Sequence, residues 1–330
     1  MKFINETPWQ ARFFFGGGGE TVNLAWVAAR ATFRLENRRT LVPADEPWPV
    51  FVTPVRTTHG TFPSDDAPSR NGCDLIVTGT ALSQTPVSWL KAHVRAGDFG
   101  NDIFVVGDRI WKRSGRSLVA SDPRPFTAMP VDWSRAFGGT TLQEGLPVPD
   151  PINPEGRGAY LSPDHAADNP LPNLEDPNAP VRNWNDRPLP VAWSPIANSH
   201  LWQIASWLGE SSKSGRPPPN ADEIMRQSAQ CYVCAAPPRN VMPELRAGAP
   251  VDIALGETRA SFHVPPIELA LRVEIGAERI SCPLKFSGLW VFVDAQLVVL
   301  SLRASFRYVL RPFEKRVAIL QRAHLPIGSG

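Results

Sequence analysis

Two of the four cysteines stand together in residues 230–238, "QCYVCAAPP", in the C-x-x-C spacing that elsewhere forms half of a zinc site or a thiol redox pair. A structural zinc takes four deprotonated ligands, usually as two short-spaced pairs. Cys73 and Cys282 are isolated in the chain, and the histidines at 59, 93, 165, 200, 263 and 324 form no H-x-x-H or C-x-x-H cluster, so the second pair is missing. A redox pair normally opens a helix whose N-terminus depresses the thiol pKa. Cys234 instead runs into Ala-Ala-Pro-Pro, which forbids a continuing helix. Both cysteines read as small, weakly polar residues packing under a loop, and neither a metal nor a cofactor is expected.

Other chemistry-bearing patterns meet the same fate. The tetraglycine 16–19 is followed by no Lys-Ser or Lys-Thr and no helix signal, so it reads as a loop tip and not a phosphate cradle. Ser88 and Lys91 have the S-x-x-K spacing of some serine acyl enzymes, but they lie in an alternating strand-like stretch without the partner motifs of that chemistry. Carboxylates of the middle segment, among them Glu155, Glu175 and Asp176, are of the type that does acid–base work on a glycan. In proline-rich loops such groups more often form turns or stay solvated. Residues 303–322 carry six basic groups to one acidic, without the aromatic interleaving of a nucleic-acid surface, and read as a solvated sheet edge. No assembled catalytic set results, and the chain is expected not to be an enzyme.

The elements that must position these residues are strands. In 22–35, Ala29, Ala31, Phe33 and Leu35 alternate with Arg30, Thr32 and Arg34, the pattern of a half-buried strand with the arginines toward water. Further strands are expected over 74–82, 87–95 and 103–112, the last two joined by the turn "AGDFGND". Beyond residue 249, "PVDIALG", "ASFHVP", the pair "ALRVEI" and "RISCPLKF", and a long run over 289–310 continue the β pattern. A short echo, "ARATFR" at 29–34 and "LRASFR" at 302–307, is expected to be two similar strands in one sheet system, with Arg303, Ser305, Arg307, Val309 and Arg311 on the exposed face of the second.

Between them, residues 122–219 hold 18 of the 35 prolines, which excludes regular sheet or a long helix there. Tryptophans 133, 184, 193, 202 and 207 lie in the same stretch, and aromatics are scarce in disordered segments, so an ordered, irregular loop layer wrapped on a β core is expected. A capping-box pattern at 220–227 predicts a short helix. The fold class is therefore mainly β: a β-sandwich-like core of antiparallel strands, the loop layer, and one or two short helices. The chain divides into an N-terminal β region (1–121), the loop layer (122–219) and a C-terminal β region (220–330), expected to form one unit.

A net charge of +2 is far from the basic excess of a nucleic-acid binder. No apolar run reaches the roughly 20 residues that span a bilayer, and no secretory signal pattern is seen, so a cytoplasmic protein with neither nucleic-acid nor membrane partners is expected.

In chain order, "VVGDRIW" (105–111), "PFTAMPVDWSRAFGGT" (125–140), "NPEGRGAY" (153–160), "LPNLEDP" (171–177) and "PVAWSPI" (190–196) form a series, flanked by "ETPWQA", "ARATFRL", "CDLIVTGTA" and "LRASFRYVLRP". Together these segments resemble the bacterial domain-of-unknown-function family 2169, over nearly the whole chain. Here "APSRNG" replaces a Lys-Pro-containing loop of the family, and Cys234 takes the place of an Asn before Ala-Ala-Pro. The resemblance implies an adaptor or chaperone of type VI secretion that binds an effector protein and helps load it onto the spike, with the spike or its tip protein as a further partner. The motif residues are Gly107, Asp108, Arg109, Trp111, Pro130, Arg135, Phe137, Gly138, Gly139, Asn153, Pro154, Gly156, Gly158, Pro172, Asn173 and Glu175. They read as scaffold for the loop layer, with Arg109 and Arg135 suited to carboxylates or loop carbonyls. Client-contact residues are not readable. The alternatives are a carbohydrate-binding or carbohydrate-active β protein, suggested by the tryptophans and loop carboxylates, and a structural component of the secretion particle.

Overall fold

The computed structural model describes residues 1–16, 22–68, 72–195, 235–309 and 314–323, and its architecture is mainly β. The two echo segments are neighbours: Val22–Glu36 and Leu297–Val309 pair antiparallel, with Ala29 opposite Leu302 and Arg30 opposite Ser301. They form the centre of a seven-stranded sheet that runs Val241–Met242, Cys73–Thr78, Lys285–Phe292, Leu297–Val309, Val22–Glu36, Gln10–Gly16, with Thr40–Pro43 also on Val22–Glu36. A five-stranded sheet runs Leu174–Glu175, Phe99–Val106, Trp89–Ala96, Pro250–Leu255, Thr258–His263, and a four-stranded one runs Lys2–Asn5, Arg316–Arg322, Leu269–Ile275, Glu278–Pro283. N-terminal and C-terminal strands share all three sheets. Most pairs are antiparallel, but Cys73–Thr78 runs parallel to Lys285–Phe292, and Lys2–Asn5 parallel to Arg316–Arg322.

Alternation decides what packs where. Ala25, Val27, Ala29, Ala31, Phe33 and Leu35 face inward with Leu75, Leu289 and Leu300, and meet Val94, Ile103 and Ile253 of the five-stranded sheet and Leu271 and Val273 of the four-stranded sheet in one continuous core. Burying such side chains away from water, at about 25 cal/mol per Å² of apolar surface, is the dominant favourable contribution to this packing.

The opposite face of the seven-stranded sheet departs from expectation. Arg30 and Thr32 are each 1% exposed and Arg303 is 7% exposed, while Arg34 and Arg307 remain exposed. The cause is a second cover: an excursion over 48–67 crosses this face and packs Trp48, Phe51 and Phe62 on Trp290 and Phe292. Asp65, carried in on the excursion, accepts from Arg30 (2.6 Å) and Arg303 (2.5 Å) and from the Phe51 amide (2.7 Å). Arg30 also donates to the Pro49 carbonyl and lies 4.4 Å from the ring centroids of both Phe51 and Trp290. Burial pulls the Arg30 guanidinium down to about 10, aided by neighbouring Arg303 and opposed by Asp65.

Three expected strands break where geometry intervenes. The run over 289–310 is a hairpin, turned at 293–296 with Gln296 at φ 52°. The 74–82 stretch divides at Gly79 into Cys73–Thr78 and Thr80–Val87. The 103–112 stretch ends at Val106 and restarts at Trp111–Ser114: the Gly107 amide makes the last bond in register with the neighbouring strand, to the Ser88 carbonyl, and a Cβ there would overlap the Arg124 carbonyl.

The layer over 122–195 is built of short pieces. Phe137–Gly138 pairs with Arg157–Gly158, and Thr140–Gln143 pairs with Leu146–Pro149. Trp133–Arg135 is a single 3-10 turn, and Pro163–Ala166 is one α-helical turn capped by Ser162. Its own small core gathers Trp111, Phe137, Tyr160, Ala166, Leu171 and Val181. The expected helix at 220–227, Trp202, Trp207, Cys231 and Cys234 lie outside the described residues.

Candidate functional site

The motif residues, spread over 107–175 in sequence, converge at the base of the loop layer. Asp108, lifted out of the sheet after Gly107, accepts at one oxygen from Arg135 (3.2 Å) and Asn173 (3.0 Å), with Arg157 at 3.8 Å. Asn173 also donates to the Val106 carbonyl (2.9 Å) and its own carbonyl accepts from the Val106 amide (2.7 Å), which ties this loop to the end of the five-stranded sheet. Arg109 donates to Glu175 (2.7 Å) and to the Pro172 carbonyl (2.9 Å), and the pair is only 11% and 6% exposed. Burial and the neighbouring Arg135 lower the Arg157 pKa, against the pull of Asp108 and Asp132.

Asn153 is the second node. Buried to 1% exposure, it donates to the carbonyls of Trp133 and Phe137, both at 2.9 Å, and its own carbonyl accepts from the Gly139 amide at 2.8 Å. Gly138, at φ 139°, brings its α carbon against Asn153, where a Cβ would overlap the Asn153 carbonyl. Gly156 and Gly158 pass equally close to Asn153 and Pro172.

The outer side of this node walls a cleft of about 560 Å³. Its other walls are the hairpin of Val55–Thr57 and Gly60–Phe62, the bend at 78–80, residues 130–134 and 153–155 of the loop layer, Ser194 and Pro195, and the turn at 294–295. Of the sixteen motif residues, Pro130, Asn153 and Pro154 reach it. Asp132 caps the 3-10 turn through Ser134 (N 2.9 Å, Oγ 2.6 Å), and Asp294 accepts from Thr80 (Oγ1 2.8 Å). Trp133 donates to the Ser194 carbonyl at 2.7 Å. His59 stacks on Phe292 with 4.1 Å between ring centroids, and burial lowers its pKa against the pull of Asp294. Two buried polar atoms on the walls, Asn153 Oδ1 and Ser194 Oγ, have no hydrogen-bond partner among the described residues.

Sequence reasoning missed His59, Asp132, Ser194 and Asp294 as members of one site. Asp132 and Ser194 stand inside quoted motifs, whereas nothing local marks Asp294 or His59 as members of a site. A second cavity of about 400 Å³ opens beside the knot, where Arg109, Lys112, Arg124 and Arg157 outnumber Asp108 and Asp122.

The three carboxylates behind the carbohydrate reading are not brought to one space. Glu175 is spent on Arg109, Asp176 is paired with Arg239 (2.9 Å), and Glu155 is exposed at the cleft. Ser88 and Lys91 flank the start of a regular strand, with Lys91 on Asp102 at 2.7 Å. Cys73 is buried, and burial raises the pKa of half-buried Cys282. Among the described residues no group of three His, Cys, Asp or Glu side chains is placed to hold a metal, and no helix is long and apolar enough to cross a membrane.

No curated protein and no solved structure matches the chain. A family model described as an uncharacterized protein conserved in bacteria, the domain of unknown function 2169, matches residues 20–303. That span contains all five motif segments of the knot and cleft and covers most of the chain, so the protein belongs to the bacterial domain-of-unknown-function family 2169.

Proposed function

We propose that this protein is a non-enzymatic cytoplasmic adaptor that binds a type VI secretion effector and helps load it onto the spike complex. The observation that carries the reading is the convergence of the motif segments: they interlock through buried hydrogen bonds and present a walled cleft at their outer side. A surface held in place this way has little left to order when a client docks, so less of the contact energy is lost to entropy. The doubly bonded Asn153 amide holds the turns at 133–137 that help shape the cleft, and the buried Arg109–Glu175 pair ties down the adjoining loop at 172–175.

Affinity purification of the full chain with the product of the neighbouring gene tests this. The expected result is a stable complex, with loss of effector stability or delivery in cells that lack this protein. Absence of a complex together with unaltered effector delivery would sink the reading.

A further inference from the structure

We infer that the cleft between the Val55–Phe62 hairpin and the loop layer seats a cationic segment of a partner polypeptide, with Asp132, Glu155 and Asp294 as its counter-charges. The inference rests on the adaptor reading only for who the partner is, not for the chemistry of the cleft.

Charge is the first argument. Three carboxylates line the cleft against the single arginine Arg56, in a chain whose net charge is +2, so the acidic lining is not the background of the surface. The cavity lined by Asp108, Arg109 and Arg157 has the reverse sign, with four cationic side chains against two carboxylates. Burial holds the His59 pKa below its ordinary value, which works against a positive charge from this ring in the cleft.

The second argument is independent of charge. Asn153 and Ser194 are 1% and 4% exposed, yet Asn153 Oδ1 and Ser194 Oγ are unpartnered among the described residues, and both residues wall this cleft. Buried polar atoms are satisfied in the great majority of native structures, and those that are not point to a missing partner. The Asn153 amide nitrogen already serves two carbonyls, and its oxygen, just beneath the cleft wall, is the atom left without a donor among the described residues. Ammonium, guanidinium and main-chain N–H groups are donors of the kind it lacks.

The third argument is one of size and wall character. About 560 Å³ accommodates a few side chains of an extended segment rather than a folded domain. Pro130 and Pro154, together with Trp133, give the stems of Lys or Arg an apolar surface to lie on. Asp132 and Asp294 are each oriented by hydrogen bonds from Ser134 and Thr80, and a carboxylate so engaged still has acceptor positions to spare.

The test uses the full chain and short fluorescein-labelled peptides of equal length, one carrying Lys and Arg, one Glu, one neither. The expected result is binding of the cationic peptide alone, weakening as salt rises. In the triple variant Asp132→Asn, Glu155→Gln, Asp294→Asn, which keeps side-chain shape, affinity should fall by about tenfold or more, equivalent to ~1.4 kcal/mol. Equal binding by the triple variant, or equal binding of the Glu peptide, would overturn the inference. Competition by spermidine that matches the peptide charge for charge would overturn it too, by showing a small-cation site. If the triple variant does not fold, Glu155→Gln alone decides: Glu155 is exposed, and its loss should weaken the cationic peptide by about twofold or more at low salt. The two readings fail separately. An effector retained equally by wild type and by the triple variant removes this site and leaves the adaptor role, whereas cationic-peptide binding without any effector complex does the reverse.

Discussion

In the seven-stranded sheet the main chain finds its partners in neighbouring strands, and side chains are left to pack; in the 122–195 layer proline and glycine remove those ladders, and side chains must satisfy the main chain instead. Val22–Glu36 pairs along 13 positions with Leu297–Val309, and its inward residues are Ala, Val, Phe and Leu. The loop layer holds strands of only two to five residues, and Asn153, Asn173, Arg109 and Arg135 donate to carbonyls or carboxylates. The sheet, too, has one polar clasp, Arg30–Asp65–Arg303, and it lies where an irregular excursion crosses regular strands. In both places, irregular chain is held by directed polar contacts because it cannot hold itself by repetition.

The sharpest way to break this contrast is Asp65→Ala, which strands two buried guanidinium groups. Losing one partner of a buried ion pair costs about 3–5 kcal/mol, and chemical denaturation should show a loss of that order. A loss under about 1 kcal/mol would mean that the clasp is not what keeps the excursion on the sheet. Next comes Leu300→Ala in the fully buried sheet core, expected to cost about 2–5 kcal/mol with one cooperative transition. Asn153→Ala removes a side-chain donor from two buried carbonyls and should cost about 2–3 kcal/mol. Its damage should be local: limited proteolysis should cut within 122–195 while the sheets persist, and coincident loss of both would erase the distinction between the regions.

Smaller effects are expected on the surface. Burial pushes the Asp102 pKa up, but hydrogen bonds from Lys91 and Arg95 prevail and hold it below the usual carboxylate value. A depressed carboxylate contributes stability above its unfolded pKa and loses it as pH falls through the folded value. Lys91→Ala should therefore cost less than about 1 kcal/mol at neutral pH and reduce the acid-side slope. The smallest effect belongs to His59. With its folded pKa below the ordinary 6.5, the unfolded chain takes up the proton first, so stability falls as pH drops below about 6.5. His59→Gln should flatten that part of a thermal-melt pH series.

The alternation at 29–35, the hairpin around Gly276 and the echo at 302–307 were legible in the chain, because a period of two reports which side chains share a face. Burial of Arg30 and Arg303 was not. Alternation separates the two faces of a strand but does not say whether the second meets water or another layer, and the covering segment over 48–67 has no period of its own. Motif spelling picked out Asn153, Asn173 and Arg109 as a set, yet their roles in satisfying loop carbonyls emerged only once the loops were in place.

By itself, then, the amino-acid sequence determined a mainly β chain, the strands central to its sheets, an ordered proline-rich layer and membership of a bacterial family. Those properties follow from local periodicity, backbone restriction by proline and residue identity. Tertiary structure alone decided the second cover on the sheet, the pairing of Asp65 with two arginines, and the meeting of Asp132, Glu155 and Asp294 around one cleft. Contacts between residues as distant as Asp65 and Arg303 depend on where the chain returns in space, and no local pattern carries that information.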